Sequence, residues 1–238
     1  MATPDFTFKK FHVNQDQCAH KVGTDSVLLA AWADVSKENT ALDIGTGTGI
    51  LALMLAQKGI QNVLAIEIDP LAFNQAVSNF SASDFKNSIK ALNVSFQDFL
   101  QSNRQYFEVI ICNPPYFHSS LVGKKHVKNI ARHQLSLSYS ELIVGVKKLL
   151  SDSGSYYCVI PFSQYREVLL HAATHKLYPK KILHVYANKR KQTPIRTLIC
   201  FSNWQGLCKV DDIFIENYNR HDYTDEYKTL TRDFYLKF

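Results

Sequence analysis

An α/β fold with a mostly parallel sheet is what this sequence predicts, and three observations predict it. Strand-like apolar runs alternate with helix-like runs along the chain. A glycine-rich turn, Asp43-Ile44-Gly45-Thr46-Gly47-Thr48-Gly49, links the first apolar run to a helical one. Acidic or amide side chains (Glu67, Asp98, Asn113) then stand at or just after the ends of successive runs. Ligands of open α/β sheets bind outside the carboxyl ends of the strands, where such groups collect.

Each element has its own signal. Ala41–Ile44 reads as the first strand, and Ile50–Gln57 as a helix of strong helix formers. Val63–Ile68 is a second strand. Pro70 suits the first turn of the helix that follows, which runs to about Phe80. Asn93–Phe96 and Val109–Cys112 are the third and fourth strands. Ser138–Leu150 is helical, with Leu142, Ile143, Val146, Leu149 and Leu150 on one stripe, and Gly154 breaks it. Ser155–Ile160 is a fifth strand, Ser163–His175 a helix, and Lys181–Tyr186 and Thr197–Phe201 two more strands. Residues 1–40 read as a leading segment and 205–238 as a tail packed on the body. The whole of 1–238 is then one domain, without repeats or low-complexity stretches.

Composition narrows the class. The 238 residues, 46% hydrophobic and 20% charged, suffice for a soluble domain with a buried core. No run of about 18 apolar residues predicts a membrane span, and Met1–Asp5 lacks a signal-peptide profile. Five cysteines, odd in number and never spaced C-x-x-C, exclude a disulfide or zinc scaffold and suit a reducing cytoplasm. The histidines have no ligand spacing, so no metal is expected. A formal charge of +6 and a pI near 9.0 suit a polyanionic partner.

Glycines between a strand and a helix let the backbone turn sharply and approach a ligand. The dinucleotide fingerprint would require Gly or Ala at position 50, where this chain has Ile. Glu67 is placed to accept hydrogen bonds from ribose hydroxyls. Asp69 is a second candidate, weighed against a role as N-cap of the helix at Pro70. Asp98 is placed to accept from an adenine amino group, with Phe99 beside it, a role weighed evenly against that of a helix cap, and Asp43 to hold the glycine loop from behind. Asn113-Pro114-Pro115-Tyr116 completes the pattern. Prolines fix φ and restrict the residue before them. The Asn113 side-chain oxygen and the Pro114 carbonyl can thus converge on a planar –NH2 group, with the Tyr116 ring for stacking.

These motifs resemble the class I S-adenosylmethionine-dependent methyltransferases that act on amino groups. More narrowly, the chain resembles the bacterial methyltransferases of N6 of adenosine 37 in tRNA1(Val). The narrower likeness also rests on Lys21-Val22-Gly23-Thr24-Asp25-Ser26-Val27-Leu28-Leu29, on Ala131-Arg132-His133, on the segment around Arg196 and on Asp233-Phe234-Tyr235-Leu236. The resemblance implies a Rossmann-like, seven-stranded, mostly parallel sheet with the last strand antiparallel and helices on both faces. It implies S-adenosyl-L-methionine as donor and a tRNA anticodon loop, most narrowly that of a valine tRNA, as acceptor. The implied cofactor contacts are Lys21, Thr24, Asp43, Gly45, Thr46, Gly47, Gly49, Glu67, Ile68, Asp98, Phe99 and Asn113. The implied catalytic residues are Asn113, Pro114 and Tyr116.

Lys124, Lys125, Lys128 and Arg132 lie in the long loop after Tyr116. Lys189, Arg190, Lys191 and Arg196 lie between the last two predicted strands. Lysine and arginine at the mouth of a site would neutralise RNA phosphates. A protein glutamine methyltransferase acting on release factors also uses Asn-Pro-Pro-Tyr, but it carries a helical domain of several dozen residues before the glycine turn, and only 44 residues precede Gly45 here. An rRNA or DNA amino-methyltransferase and a catalytically silent RNA-binding module are further alternatives. A cytoplasmic monomer is expected.

Overall fold

The computed structural model describes residues 5–19, 21–114 and 137–238. Its centre is an eight-stranded sheet in the order β10-β8-β9-β7-β6-β3-β4-β5. The strands are β3 (Thr40–Ile44), β4 (Asn62–Glu67), β5 (Ile89–Asn93), β6 (Phe107–Cys112), β7 (Leu150–Pro161), β8 (Tyr178–Asn188), β9 (Arg196–Ser202) and β10 (Lys209–Glu216). Among the described residues, only β9 runs against its neighbours in this sheet, β7 and β8; the sheet's other pairings are parallel. The last of the seven expected strands is therefore the antiparallel one. The eighth, β10, comes from the tail and pairs with β8 at the sheet edge. A small hairpin of β1 (Phe6–Thr7) and β2 (His12–Val13) precedes the sheet.

Helices cover both faces, because alternate residues of each buried strand point to opposite sides. On one side α1 (Thr24–Trp32), α2 (Ile50–Gln57), α3 (Pro70–Ser81) and α7 (Asp225–Thr231) enclose a core that includes Val27, Leu53, Phe80 and Tyr227. On the other, α4 (Phe96–Ser102), α5 (Tyr139–Leu149) and α6 (Tyr165–Thr174) bury Phe99, Ile143 and Val168. Side chains cap several starts. Asp69 accepts from the amides of Leu71 at 2.8 Å and Ala72 at 3.4 Å, with Pro70 at the first position of α3. Ser138 and Glu141 form a reciprocal capping box on α5.

Three features depart most from the sequence reading. The third strand is Ile89–Asn93, not Asn93–Phe96, because Ser95 caps a helix that starts at Phe96. Gly154 does not end α5; β7 begins at Leu150 and passes through it, the register against β6 shifting between Phe107 and Val109. The leading segment carries a helix, α1, that packs on α2 and α7.

Candidate active site

A cavity of about 460 Å³ opens where β3, β4 and β6 end. Gly45, Thr46 and Gly47 line it from the loop after β3, and Glu67 and Ile68 from the end of β4. Asn113 and Pro114 enter from the end of β6, and Lys21 and Ser26 from the leading segment. The strand ends converge there because all three strands are parallel, so their following loops crowd one edge.

The glycine loop is held from below by main chain and carboxylates. The amides of Gly45 and Thr46 donate to the Ile66 carbonyl at 2.9 and 3.0 Å. Glu67 accepts from the Gly47 amide through Oε2 and from the Asp69 amide through Oε1, each at 2.9 Å. Asp43 is fully buried beneath the loop, and its Oδ2 accepts from Thr46 Oγ1 at 2.5 Å and the Ala52 amide at 3.2 Å. Burial pushes its carboxyl up to about 7, against the pull of those two hydrogen bonds. Gly45 and Gly47 have φ of +70° and +56°, and a Cβ on either would meet no protein atom within 4 Å. Gly49 has another duty: a Cβ there would stand 2.4 Å from Phe80 Cε1, so this glycine lets α2 close on α3.

The amide at the end of β6 is oriented from α1. Asn113 Nδ2 donates to Ser26 Oγ at 2.9 Å, which fixes the amide plane and makes Oδ1 its acceptor end. The start of α1 is anchored in turn by Asp25, whose Oδ2 accepts from Arg196 Nε at 2.8 Å. Lys21 Nζ donates to the Gln15 carbonyl, and Gln15 Oε1 accepts from the Val22 amide at 2.8 Å. Backbone and ion pair thus fold the Lys21–Ser26 stretch over one side of the cavity.

Of the residues singled out from sequence, Lys21, Gly45, Thr46, Gly47, Glu67, Ile68, Asn113 and Pro114 line this cavity. Thr24, Asp43 and Gly49 do not; Asp43 holds the loop from behind, and Gly49 lets α2 approach α3. Asp98 and Phe99 are also displaced from it. Because α4 starts at Phe96, Phe99 turns into the core and Asp98 accepts a hydrogen bond from Ser95 Oγ at 2.6 Å. Phe96 and Gln97 take the wall position instead. The Ser95-x-x-Asp98 spacing was the available signal, being that of a helix cap. Arg196, expected to face RNA, is committed to Asp25. Lys189, Arg190 and Lys191 are exposed on the turn between β8 and β9. Pro115, Tyr116, Lys124, Lys125, Lys128 and Arg132 lie outside the described residues.

Comparison with known proteins gives the chain a context. Residues 17–178 match the family model described as Methyltransferase small domain. The chain is 43% identical to a tRNA1(Val) (adenine(37)-N6)-methyltransferase of Bacteroides fragilis, across 100% of both chains. It is 44% identical to a protein of the same description from Bacteroides thetaiotaomicron, across 99% of each, and 39% identical to one from Histophilus somni, across 98% of each. Among solved structures, a predicted O-methyltransferase from Agrobacterium tumefaciens superposes with a TM-score of 0.69 at 14% identity, covering 88% of this chain and 96% of that one. A ribosomal protein L11 methylase from Lactobacillus delbrueckii subsp. bulgaricus gives 0.54 at 18% identity, covering 76% and 78%. At these identities the structural likeness speaks for the fold alone.

Proposed function

The chain belongs to the family of tRNA1(Val) (adenine(37)-N6)-methyltransferases, and we propose that it methylates N6 of adenosine 37 in a bacterial valine tRNA. The observation that carries this reading is the Asn113–Pro114 pair in one cavity with the Gly45–Gly47 loop and Glu67. S-adenosyl-L-methionine fits the residues present. Gly45 and Gly47 leave room for close approach, and Glu67 presents a carboxylate at the end of β4, with lone pairs beyond its two backbone contacts for ribose hydroxyls. Bound there, the donor supplies an electrophilic methyl group on a sulfonium.

What the protein contributes is alignment. The adenine N6 lone pair is delocalised into the ring, which makes the free amine a poor nucleophile. Asn113 Oδ1 and the Pro114 carbonyl accept its two N–H bonds, favouring a more tetrahedral nitrogen. The same two dipoles stabilise the positive charge that develops on that nitrogen, and holding the amine in place contributes much of the remaining effect. The methylated nitrogen is cationic and releases a proton afterwards, so no strong base is needed beside it. An anticodon-loop base leaves its stack at lower cost than a duplex base. Tyr116, two positions after Pro114 in the sequence, is assigned to stack on the flipped base. A tRNA substrate supports the reading of a bacterial cytoplasmic enzyme.

The test is nucleoside mass spectrometry of purified tRNAs incubated with the protein and isotopically labelled donor. N6-methyladenosine confined to a valine tRNA is the expected result, and label on a glutamine of a release factor would transfer the activity to proteins. Asn113→Ala should lower kcat by two or more orders of magnitude, on the scale of losing one preorganised dipole, with donor affinity kept. Near-normal turnover at saturating donor and RNA would remove Asn113 from the mechanism.

A further inference from the structure

Beyond the cavity, the carboxyl edge of the sheet continues over β7, β9, β8 and β10, and it carries a set of rings that the methyl-transfer chemistry does not use. Phe162 and Tyr165, just past the end of β7, stack with centroids 5.1 Å apart. Both meet His184 of β8 edge-on at 5.3 Å. Two residues along the same strand, and so on the same face, Tyr186 stacks on Phe214 of β10 at 4.7 Å and 24°. The parallel register sets Tyr186 and Phe214 directly side by side. All five rings are only partly buried. Ile195, 40% exposed, lies beside them, and its carbonyl accepts from the Phe162 amide.

The ledge is continuous with the active site. β7 pairs with β6, which bears Asn113, and β9 and β8 follow in order. Tyr186 therefore stands about three strand spacings, roughly 14 Å, from the catalytic amide. Tyr139 Oη donates to Gln164 Oε1 at 2.7 Å, tying the residue before Tyr165 to α5. At the end of the ledge stand the exposed Lys189, Arg190 and Lys191. Their turn is fixed by the Lys189 amide on the Asn217 carbonyl at 2.9 Å and the Arg190 amide on Asn188 Oδ1 at 3.1 Å. Two acids share the face. Glu216 accepts from the His221 amide at 2.8 Å, and Asp212 is paired in register with His184, further from the edge than Phe214.

Partly exposed rings beside cations carried on an ordered turn are the arrangement that holds single-stranded nucleic acid, where bases stack on aromatics and phosphates meet lysine and arginine. We propose that this ledge is a docking surface for unstacked bases of the RNA substrate, with Tyr186 and Phe214 as its stacking platform. The proposal rests on the tRNA reading above. A loop whose target base sits against Asn113 must pass its neighbouring nucleotides over an adjoining surface, and this one lies on the substrate side of the sheet, away from Glu67 at the end of β4. Stacking tolerates any base, so the ledge supplies affinity and register, while the amine-binding pair selects the chemistry.

The test uses an unmodified transcript of a bacterial valine tRNA and the full chain. The double variant Tyr186→Ala, Phe214→Ala should raise the Kd for the transcript about tenfold or more, in line with the loss of one or two stacked bases. Affinity for S-adenosylhomocysteine and the melting temperature should stay near wild type, and the salt slope of binding should be kept. Tyr186→Trp should bind within about twofold of wild type. A 4-thiouridine-substituted transcript should cross-link to the peptides holding Tyr186 or Phe214 in the unmutated protein, a readout that no folding defect can mimic. Unchanged RNA affinity in the double variant, or cross-links confined elsewhere, overturns the ledge while leaving the tRNA reading intact. A wild-type dimer that the double variant dissolves assigns the face to a second copy and overturns it too. If the wild-type chain neither binds nor methylates the transcript, the tRNA reading itself fails.

Discussion

Ser26 reaches Asn113 across 87 positions of sequence, and that hydrogen bond occupies the donor end of the amide proposed to hold the substrate amine. A side-chain amide can rotate to present either end, so an amide meant to accept must have its donor end occupied. Ser26→Ala removes the partner without reaching the reacting atoms. We expect kcat to fall about tenfold, the size of one ordinary hydrogen bond, with donor affinity unchanged and the loss recovered by Ser26→Thr, which keeps the hydroxyl. Wild-type kcat in Ser26→Ala would show that β6 holds the amide without help from α1. Local pattern could find Asn113, because its prolines are adjacent. It could not find Ser26, since the pairing exists only after α1 has folded against the sheet.

At the scale of elements, what could be read from sequence followed how strongly each segment marks itself. The run Ile50–Ala56 is apolar throughout, and the helix over Ile50–Gln57 keeps the expected bounds. The strand Ile89–Asn93 alternates weakly and carries Lys90 and Asn93, so the next apolar cluster attracted the assignment that Ser95 should have prevented. Strand β10 opens with Lys209 and has two aspartates in its first half, as suits a sheet edge, and gave no strand signal. Packing between elements was equally hidden. Gly145 of α5 lets α4 come so near that a Cβ would stand 2.3 Å from Phe96 Cε1. Because Phe96 also lines the cavity, Gly145→Ala should do two things. It should destabilise the fold by about 1–3 kcal/mol through overpacking, and it should weaken donor binding measurably by calorimetry. Stability lost with donor affinity untouched would mean that the ring yields away from the cavity.

For the whole molecule, pH acts through the carboxylate buried under the glycine loop. Asp43 has an ordinary value of 3.8, raised to about 7 by burial in the folded state. As pH rises from about 4 to 7, the unfolded chain releases this proton and the folded chain keeps it, so folding becomes less favourable. The contribution is complete below pH 4 and gone above 7, on the order of 4 kcal/mol. Wild type should therefore lose stability relative to Asp43→Asn across that window in denaturant melts, and run parallel to it above. A constant gap from pH 4 to 7 would show that Asp43 stays ionised in the native protein.

The small hairpin and the tail meet far from the cavity. Lys9 Nζ donates to the carbonyls of Arg232, 223 positions away, at 2.5 Å and of Phe238 at 2.6 Å, and Tyr235 stacks on Phe8 at 6.0 Å. The same tail brings α7 against α1, the helix that carries Ser26. During synthesis, the sheet up to β9 can assemble while this clasp is still missing. Until the tail is made, α1 would lack its contact with α7, and the Ser26 hydroxyl that meets Asn113 would lack that support. The last residues of the chain therefore support, through α7 and α1, a side chain near the opposite end of the sequence that touches Asn113.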